Sequence, residues 1–171
     1  MITETTGLIT LIPENIPEEL KERPQWVCWR YEERDGKTTK VPYTPFTAFR
    51  ASSTDPKTWT PFEGALVACE VGPEVPFAPP IPYDGIGFVF SDDDPYAGID
   101  LDDCRGPKSG KIAPWAQEII NRIPEGYTEI SPSGSGIHII TCGTVRGGGM
   151  RKGPVEMYSR GRYFALTGMM L

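Results

Sequence analysis

Proline and glycine interrupt this chain so often that no long uninterrupted element fits into it. Glycine (19) and proline (18) make up more than a fifth of the 171 residues. Proline fixes φ and removes a backbone donor, and glycine brings no side chain to a helix or strand. The composition therefore predicts many turns, short strands and at least one long irregular loop, and it disfavours long helical bundles. The densest stretch, residues 71–84, holds Pro73, Pro76, Pro79, Pro80 and Pro82. It reads as an extended surface loop inserted within a domain, not as a boundary between two. At this length the expectation is a single domain over residues 1–171, cut from a longer polypeptide because the chain stops at Leu171 just after a strand.

With 39% hydrophobic, 11% aromatic and 23% charged residues, the chain belongs with ordinary globular proteins rather than disordered, collagen-like or coiled-coil ones. Its net charge of -6 gives no global positive field to recruit nucleic acid or an anionic membrane surface, so any polyanion site must be local. Charge is segregated along the sequence. Arg146, Arg151, Lys152, Arg160 and Arg162 share a stretch whose only acid is Glu156, whereas Asp84, Asp92, Asp93, Asp94, Asp100, Asp102 and Asp103 crowd another. Met1–Thr5 lacks the basic start and apolar core of a secretion signal, and there is no run of about 18 apolar residues, so a cytoplasmic protein with no membrane partner is expected. Cys28, Cys69, Cys104 and Cys142 are widely spaced with no C-x-x-C pair, which argues for small buried side chains over a zinc site or a disulfide framework.

Trp26–Tyr31 and Thr38–Tyr43 flank a turn at Asp35-Gly36 and read as a hairpin whose second strand Pro42 confines to an edge. Thr60-Pro61-Phe62-Glu63 matches a capping box opening a helix of roughly ten residues. Gly85–Phe90 and Tyr96–Asp102 are strand-like runs separated by Ser91-Asp92-Asp93-Asp94-Pro95, and are expected to pair as a hairpin. Ala113–Ile123 is an amphipathic helix ended by Pro124 and Gly126. Strands follow at Tyr127–Ile130, Ile137–Cys142, Val155–Ser159 and Tyr163–Thr167, with Gly147-Gly148-Gly149 as a break. Strands interleaved with two helices define an α+β fold with a mainly antiparallel sheet.

Asp100-Leu101-Asp102 is the most informative triplet. On a strand, alternate side chains share a face, which places these carboxylates about 7 Å apart at Cα and aimed the same way. They either converge on a hard divalent cation such as Mg²⁺ or form a solvated strand end. His138, the only histidine, follows the small-residue loop Ser131-Pro132-Ser133-Gly134-Ser135-Gly136-Ile137. Such a loop either lets backbone N–H groups approach a triphosphate or is an ordinary turn with a structural histidine. Glu156, within the basic stretch, is either a third metal ligand or one half of a charge pair, and Lys40 and Arg50 either reach a bound anion or stay solvated.

In their order along the chain, Asp100 and Asp102, the Ser/Gly loop with His138, and Glu156 resemble the three motifs of the archaeo-eukaryotic primase superfamily, in particular the primase-polymerases of phages, plasmids and other mobile elements. Trp26–Trp29, Lys40-Val41-Pro42-Tyr43, Ala51-Ser52-Ser53-Thr54-Asp55 with Trp59, Gly85–Phe88 and Arg162–Gly168 extend the resemblance over residues 24–168. It implies an N-terminal α/β subdomain packed on an RRM-like sheet, with a nucleoside triphosphate, a single-stranded DNA template with its primer and a divalent metal in the cleft between them. By carry-over, Asp100, Asp102 and Glu156 hold Mg²⁺ or Mn²⁺. His138 and the loop Ser133, Gly134, Ser135 and Gly136 bind the triphosphate, together with Lys40 and Arg162. The zinc-binding insert of some relatives is missing, and a helical accessory domain and helicase, where present, would follow Leu171.

The implied reaction is template-dependent nucleotidyl transfer, in which a 3′-hydroxyl attacks the α-phosphorus and pyrophosphate leaves, assisted by two divalent ions. A catalytically silent single-strand-binding module, stacking bases on Tyr158 and Tyr163, is the alternative from another class. A generic metal-dependent phosphodiesterase also stays open. A rolling-circle nicking endonuclease needs a pair of metal-binding histidines, and this chain has one histidine.

Overall fold

A computed structural model describes residues 10–77 and 80–171. The segment Met1–Thr5, read above for a leader, and Pro79 of the proline-rich stretch lie outside the described residues. In chain order the elements are α1 (Glu18–Lys21), β1 (Trp26–Arg34), β2 (Lys37–Tyr43), α2 (Phe62–Val71), β3 (Gly85–Phe90), β4 (Tyr96–Leu101), α3 (Pro114–Asn121), β5 (Tyr127–Ile130), β6 (Ile137–Cys142), β7 (Gly149–Lys152), β8 (Val155–Tyr158) and β9 (Arg162–Leu166). They form two sheets, ordered β2-β1-β3-β9 and β5-β6-β4-β8-β7. Every pairing between these strands is antiparallel, so the fold is α+β as the sequence predicts.

The β1–β2 hairpin turns at Asp35 and Gly36, both at positive φ (51° and 73°), the left-handed pair that suits a tight hairpin. β2 is the outer strand and carries Pro42, which has no N–H to give a further neighbour. α2 lays Phe62 and Ala65 against Trp26 and Ile86 of the first sheet. On the second sheet, α3 sets Ala116 against Ile99, Leu101, Ile137 and Ile139. Between the sheets, Phe88, Phe90, Phe164 and Leu166 meet Tyr96 and Ile140. Phe90 and Phe164 pack edge to face at 4.9 Å, and each fully buried ring of this kind contributes about 1.5–3 kcal/mol.

Four expectations need correction. β3 and β4 do not pair as a hairpin: β3 lies inside the first sheet and β4 inside the second, stacked face to face across the core. The intervening corner is pinned by the Asp94 carboxylate, which accepts bonds from the backbone of Ser91 (2.9 Å) and Tyr96 (2.7 Å) and from the Gln25 side chain (2.7 Å). The Thr60 capping box does not form. Thr60 exchanges both backbone bonds with Trp26, and α2 starts behind Pro61 with no side-chain cap. β7 is an additional strand that begins at Gly149, the last glycine of the run, and pairs with β8 with all four of its residues exposed. Among the cysteines, Cys28 and Cys104 are buried as expected, Cys69 is half-buried and Cys142 is exposed.

Candidate active site

β-Strand register gathers the polar residues. Glu129 of β5 faces His138 of β6, His138 faces Asp100 of β4, Asp100 faces Glu156 of β8, and Glu156 faces Arg151 of β7. Directly opposed residues on neighbouring strands have Cβ atoms about 4.5–5.5 Å apart, so one charged row crosses the whole second sheet. The same face is apolar further along, where Tyr96 and Ile140 enter the inter-sheet core. Gly98, between Tyr96 and Asp100, marks the change from core to cleft.

Within the row, His138 Nδ1 lies 3.2 Å from Glu129 Oε1 and Nε2 lies 3.7 Å from Asp100 Oδ1. Its ring stacks on Phe164 of β9, with centroids 4.8 Å apart and planes 24° from parallel. Glu156 is engaged from the other side, by Arg151 at 3.0 Å, Arg162 at 3.6 Å and the Tyr158 hydroxyl at 2.5 Å. Tyr158 in turn accepts a bond from Arg162 at 3.0 Å.

The first sheet supplies the facing wall. A cavity of about 630 Å³ is lined by Asp100, His138, Glu156 and Tyr158 from one sheet and by Lys40, Arg162 and Phe164 from the other. Five of the sequence-selected residues thus meet in one space: Lys40, Asp100, His138, Glu156 and Arg162. Asp102 stands one residue past the end of β4, in a turn whose backbone N–H reaches Pro154 O (2.8 Å), and it is not among the residues that line this cavity. The loop Ser133, Gly134, Ser135 and Gly136 closes the β5–β6 connection and does not line this cavity. Its hydroxyls bond one another, Ser131 to Ser133 at 2.9 Å and Ser133 to Ser135 at 3.1 Å, and Arg105 donates to its Gly134 carbonyl.

Electrostatics tie these groups together. Burial pushes the Asp102 carboxyl above the ordinary aspartate range, and the negative charges of Asp100, Glu156 and Asp103 push it further. Burial lowers the Lys40 ammonium, and the same Asp100 and Asp102 partly restore it. Asp102 therefore feels three neighbouring acids, and Lys40 across the cleft feels two of the four. Because the Asp102 pKa is raised on folding, its stabilising contribution is complete below the unfolded value of 3.8 and is lost as pH rises through the folded value. Asp102→Asn is expected to raise the unfolding free energy at pH 7 by roughly a few tenths of a kcal/mol after solvent screening, seen as a higher urea midpoint, and to give no advantage near pH 3.5. Equal midpoints at pH 7 would show that the crowding is fully screened.

For a hard divalent cation the donor chemistry fits, since Asp100, Asp102 and Glu156 offer only carboxylate oxygens. Among the described residues, however, no three His, Cys, Asp or Glu side chains stand together at ligand spacing. Glu156 is turned to its arginines and tyrosine, and would have to leave them to join the two aspartates.

Glu129, Phe164, Tyr158 and Arg151 also belong to the site; the sequence offers the last three only within the Arg162–Gly168 motif, as a stacking tyrosine and in the basic stretch, and does not select Glu129 at all. Glu129 was readable in principle. Counting outward from the Ser131–Gly136 loop pairs Ile130 with Ile137 and Glu129 with His138, the register that the strands adopt.

Compared with known proteins, the chain is 35% identical over 157 residues to the DNA Primase-polymerase of Nitratiruptor phage NrS-1, an alignment that takes in 87% of this chain. The chain spans about a fifth of the length of that curated relative. No family model matches the chain. A relationship to a phage primase-polymerase is thus supported over most of these residues, as the motif order implies. No helix among the described residues is long and apolar enough to cross a membrane.

Proposed function

We propose that this chain is the catalytic core of a template-dependent nucleotidyltransferase, a DNA primase-polymerase that adds nucleoside triphosphates to a primer or starts one. The observation that carries this reading is the two-sided cavity, in which the acids of one sheet stand opposite Lys40 and Arg162 of the other. Such a site suits a substrate that brings polyphosphate and divalent metal together. The relative points the same way.

In this reading Asp100 and Asp102 hold Mg²⁺ or Mn²⁺, and Glu156 joins them when Arg151 and Arg162 turn to phosphate. When bound, such an ion would supply charge neutralisation at the α-phosphate and acidify the attacking hydroxyl. Lys40 and Arg162 bind the β- and γ-phosphates, and His138 orients the triphosphate against the acidic row. The Ser133–Gly136 loop, at the end of the same strands, serves the triphosphate only by moving toward the cavity. Base pairing with the template selects the incoming nucleotide.

A second groove of about 780 Å³ adjoins the cavity, sharing Ser53, Tyr158 and Arg162, and is lined by Arg151, Arg160 and the backbone of Gly147–Gly149. Its three arginines, Arg151, Arg160 and Arg162, outnumber the two acids of its rim, Asp92 and Asp93, of which Asp92 pairs with Arg160 at 3.1 Å, and in this reading the groove carries the template strand. The silent binding module is less well supported. Its stacking tyrosines are committed, Tyr158 beneath Arg162 (4.6 Å) and Tyr163 to the Lys40 carbonyl (2.8 Å).

The test supplies primed template, Mg²⁺ or Mn²⁺ and labelled nucleotides. Primer lengthening is the expected result; fragment release without lengthening would mark a phosphodiesterase, and DNA binding without either would mark the silent module. Arg160→Ala, read by fluorescence anisotropy across a salt series, is expected to weaken single-strand binding for all sequences. It should also flatten the salt slope by about one unit. An unchanged slope would remove this groove from the template path.

A further inference from the structure

Glu129 is the one fully buried acid in the described core, 0% exposed, and the proposed reaction gives it no task. It is nonetheless completely engaged. Its two carboxylate oxygens accept from the backbone N–H of Thr167 (3.1 and 3.0 Å) and of Gly168 (2.8 Å), and from the Tyr127 hydroxyl (2.7 Å). The remaining neighbour is His138 Nδ1 at 3.2 Å. A carboxylate accepts and never donates, so the imidazole nitrogen facing it must carry the hydrogen.

We infer that Glu129 is a positioning residue for His138: it takes the Nδ1–H and so presents Nε2 as the ring atom that faces the cavity. The geometry leaves little freedom. Phe164 covers the ring face at 4.8 Å, Glu129 holds one edge, and the other edge points at Asp100 from 3.7 Å. Flipping the ring about its Cβ–Cγ bond would put Cδ2 where Nδ1 stands, cost the Glu129 bond and leave a buried carboxylate short of a donor. Carboxylates that orient functional histidines through the far nitrogen are a general device for fixing tautomer and direction together. The other partners of Glu129 extend the effect. Thr167 and Gly168 follow β9, the strand of the first sheet that supplies Phe164, so one carboxylate ties the ring, the strand end behind it and β5 into a unit. That Nε2 then meets a nucleotide phosphate rests on the function proposed above; the state of the ring does not.

The two are separable because His138 is the only histidine in the chain, so ¹⁵N-histidine labelling gives the signals of a single ring. In the wild-type protein at neutral pH, a proton on Nδ1 that exchanges slowly with solvent is expected. An Nδ1 without a proton, with the hydrogen on Nε2 instead, would overturn the proposal whether or not the protein polymerises. Glu129→Gln brings an amide donor against Thr167 and Gly168 and can fail to fold, which is why the wild-type measurement decides. If Glu129→Gln folds, the Nδ1 proton should lose its protection, and nucleotide KM should rise about 10- to 100-fold, as when such orienting carboxylates are lost elsewhere, with kcat changed much less. A protected Nδ1 proton in that variant would overturn the assignment. A wild-type ring with the expected proton in a protein that adds no nucleotide would sink the enzymatic reading and leave this one standing.

Discussion

Asp100→Asn is expected to abolish primer extension, with a loss of at least about 10³-fold, while leaving the urea midpoint at pH 7 unchanged or slightly higher. Asp100 stands at the centre of the charged row, between His138 and Glu156, and is the only residue that faces both. Removing its charge takes away the one carboxylate that β4 brings to the cavity lining. Transition-state charge stabilisation of this kind is worth several kcal/mol, and each 1.36 kcal/mol is tenfold in rate. No stability is lost with it, because Asp100 raises the free energy of its ionised neighbour Asp102. The pairing of outcomes matters, since loss of extension together with loss of stability would indicate a structural role. Extension at the wild-type rate would show that the reaction does not use this acid.

Gly98→Ala is expected to be the most damaging small substitution. A methyl carbon at that position would collide with the Phe90 ring and would lie 2.5 Å from Phe164 Cε2, where no β-carbon fits without movement of both rings. Overpacking of this sort costs about 1–3 kcal/mol, a substantial part of the stability of a small domain. Urea denaturation should show the midpoint falling with the slope unchanged. Phe164 is also the ring stacked on His138, so the displacement reaches the cleft, and weaker nucleotide binding should accompany the lower midpoint. A wild-type midpoint would mean that the two phenylalanines can step aside without cost.

Local patterns in the sequence reveal the elements better than they reveal which elements touch. The Asp35-Gly36 hairpin, both longer helices and the strands carrying Asp100, His138 and Glu156 follow from turn chemistry and periodicity. The partnership of β3 and β4 does not. A hairpin and a corner between two sheets use the same aspartates, serine and proline, and the choice is made by tertiary fit, with Phe90 seated over Gly98. β7 is equally silent: Met150-Arg151-Lys152 has no alternation because none of it is buried, and only its pairing with β8 makes it a strand. Thr60 carries a good capping signal that loses to two backbone bonds with Trp26.

The site divides in a similar way. Asp100, His138 and Glu156 are legible from motif order, and strand register then sets them side by side. Lys40 and Arg162 come from the other sheet, so only the packing of the sheets explains their arrival. Asp102 is selected by alternation yet falls beyond its strand, where the chain has already begun to turn. Glu129 looks like an unremarkable acid in a four-residue strand until the register places it against His138.

β9 reaches the first sheet from the far end of the sequence, pairing Ile86 with Leu166 and Phe90 with Arg162. A ribosome must therefore release the 71 residues that lie between Phe90 and Arg162, about two fifths of the chain, before β3 acquires its second neighbour, and pairings this distant in sequence form slowly. Until then the half-made sheet has an open border that can recruit a stray strand, and neither Arg162 nor Phe164 is in place. Glu156 on β8 precedes Arg162 on β9 by only a few residues, so the acidic row and the arginine facing it are completed almost together, long after Lys40 of β2 has been made.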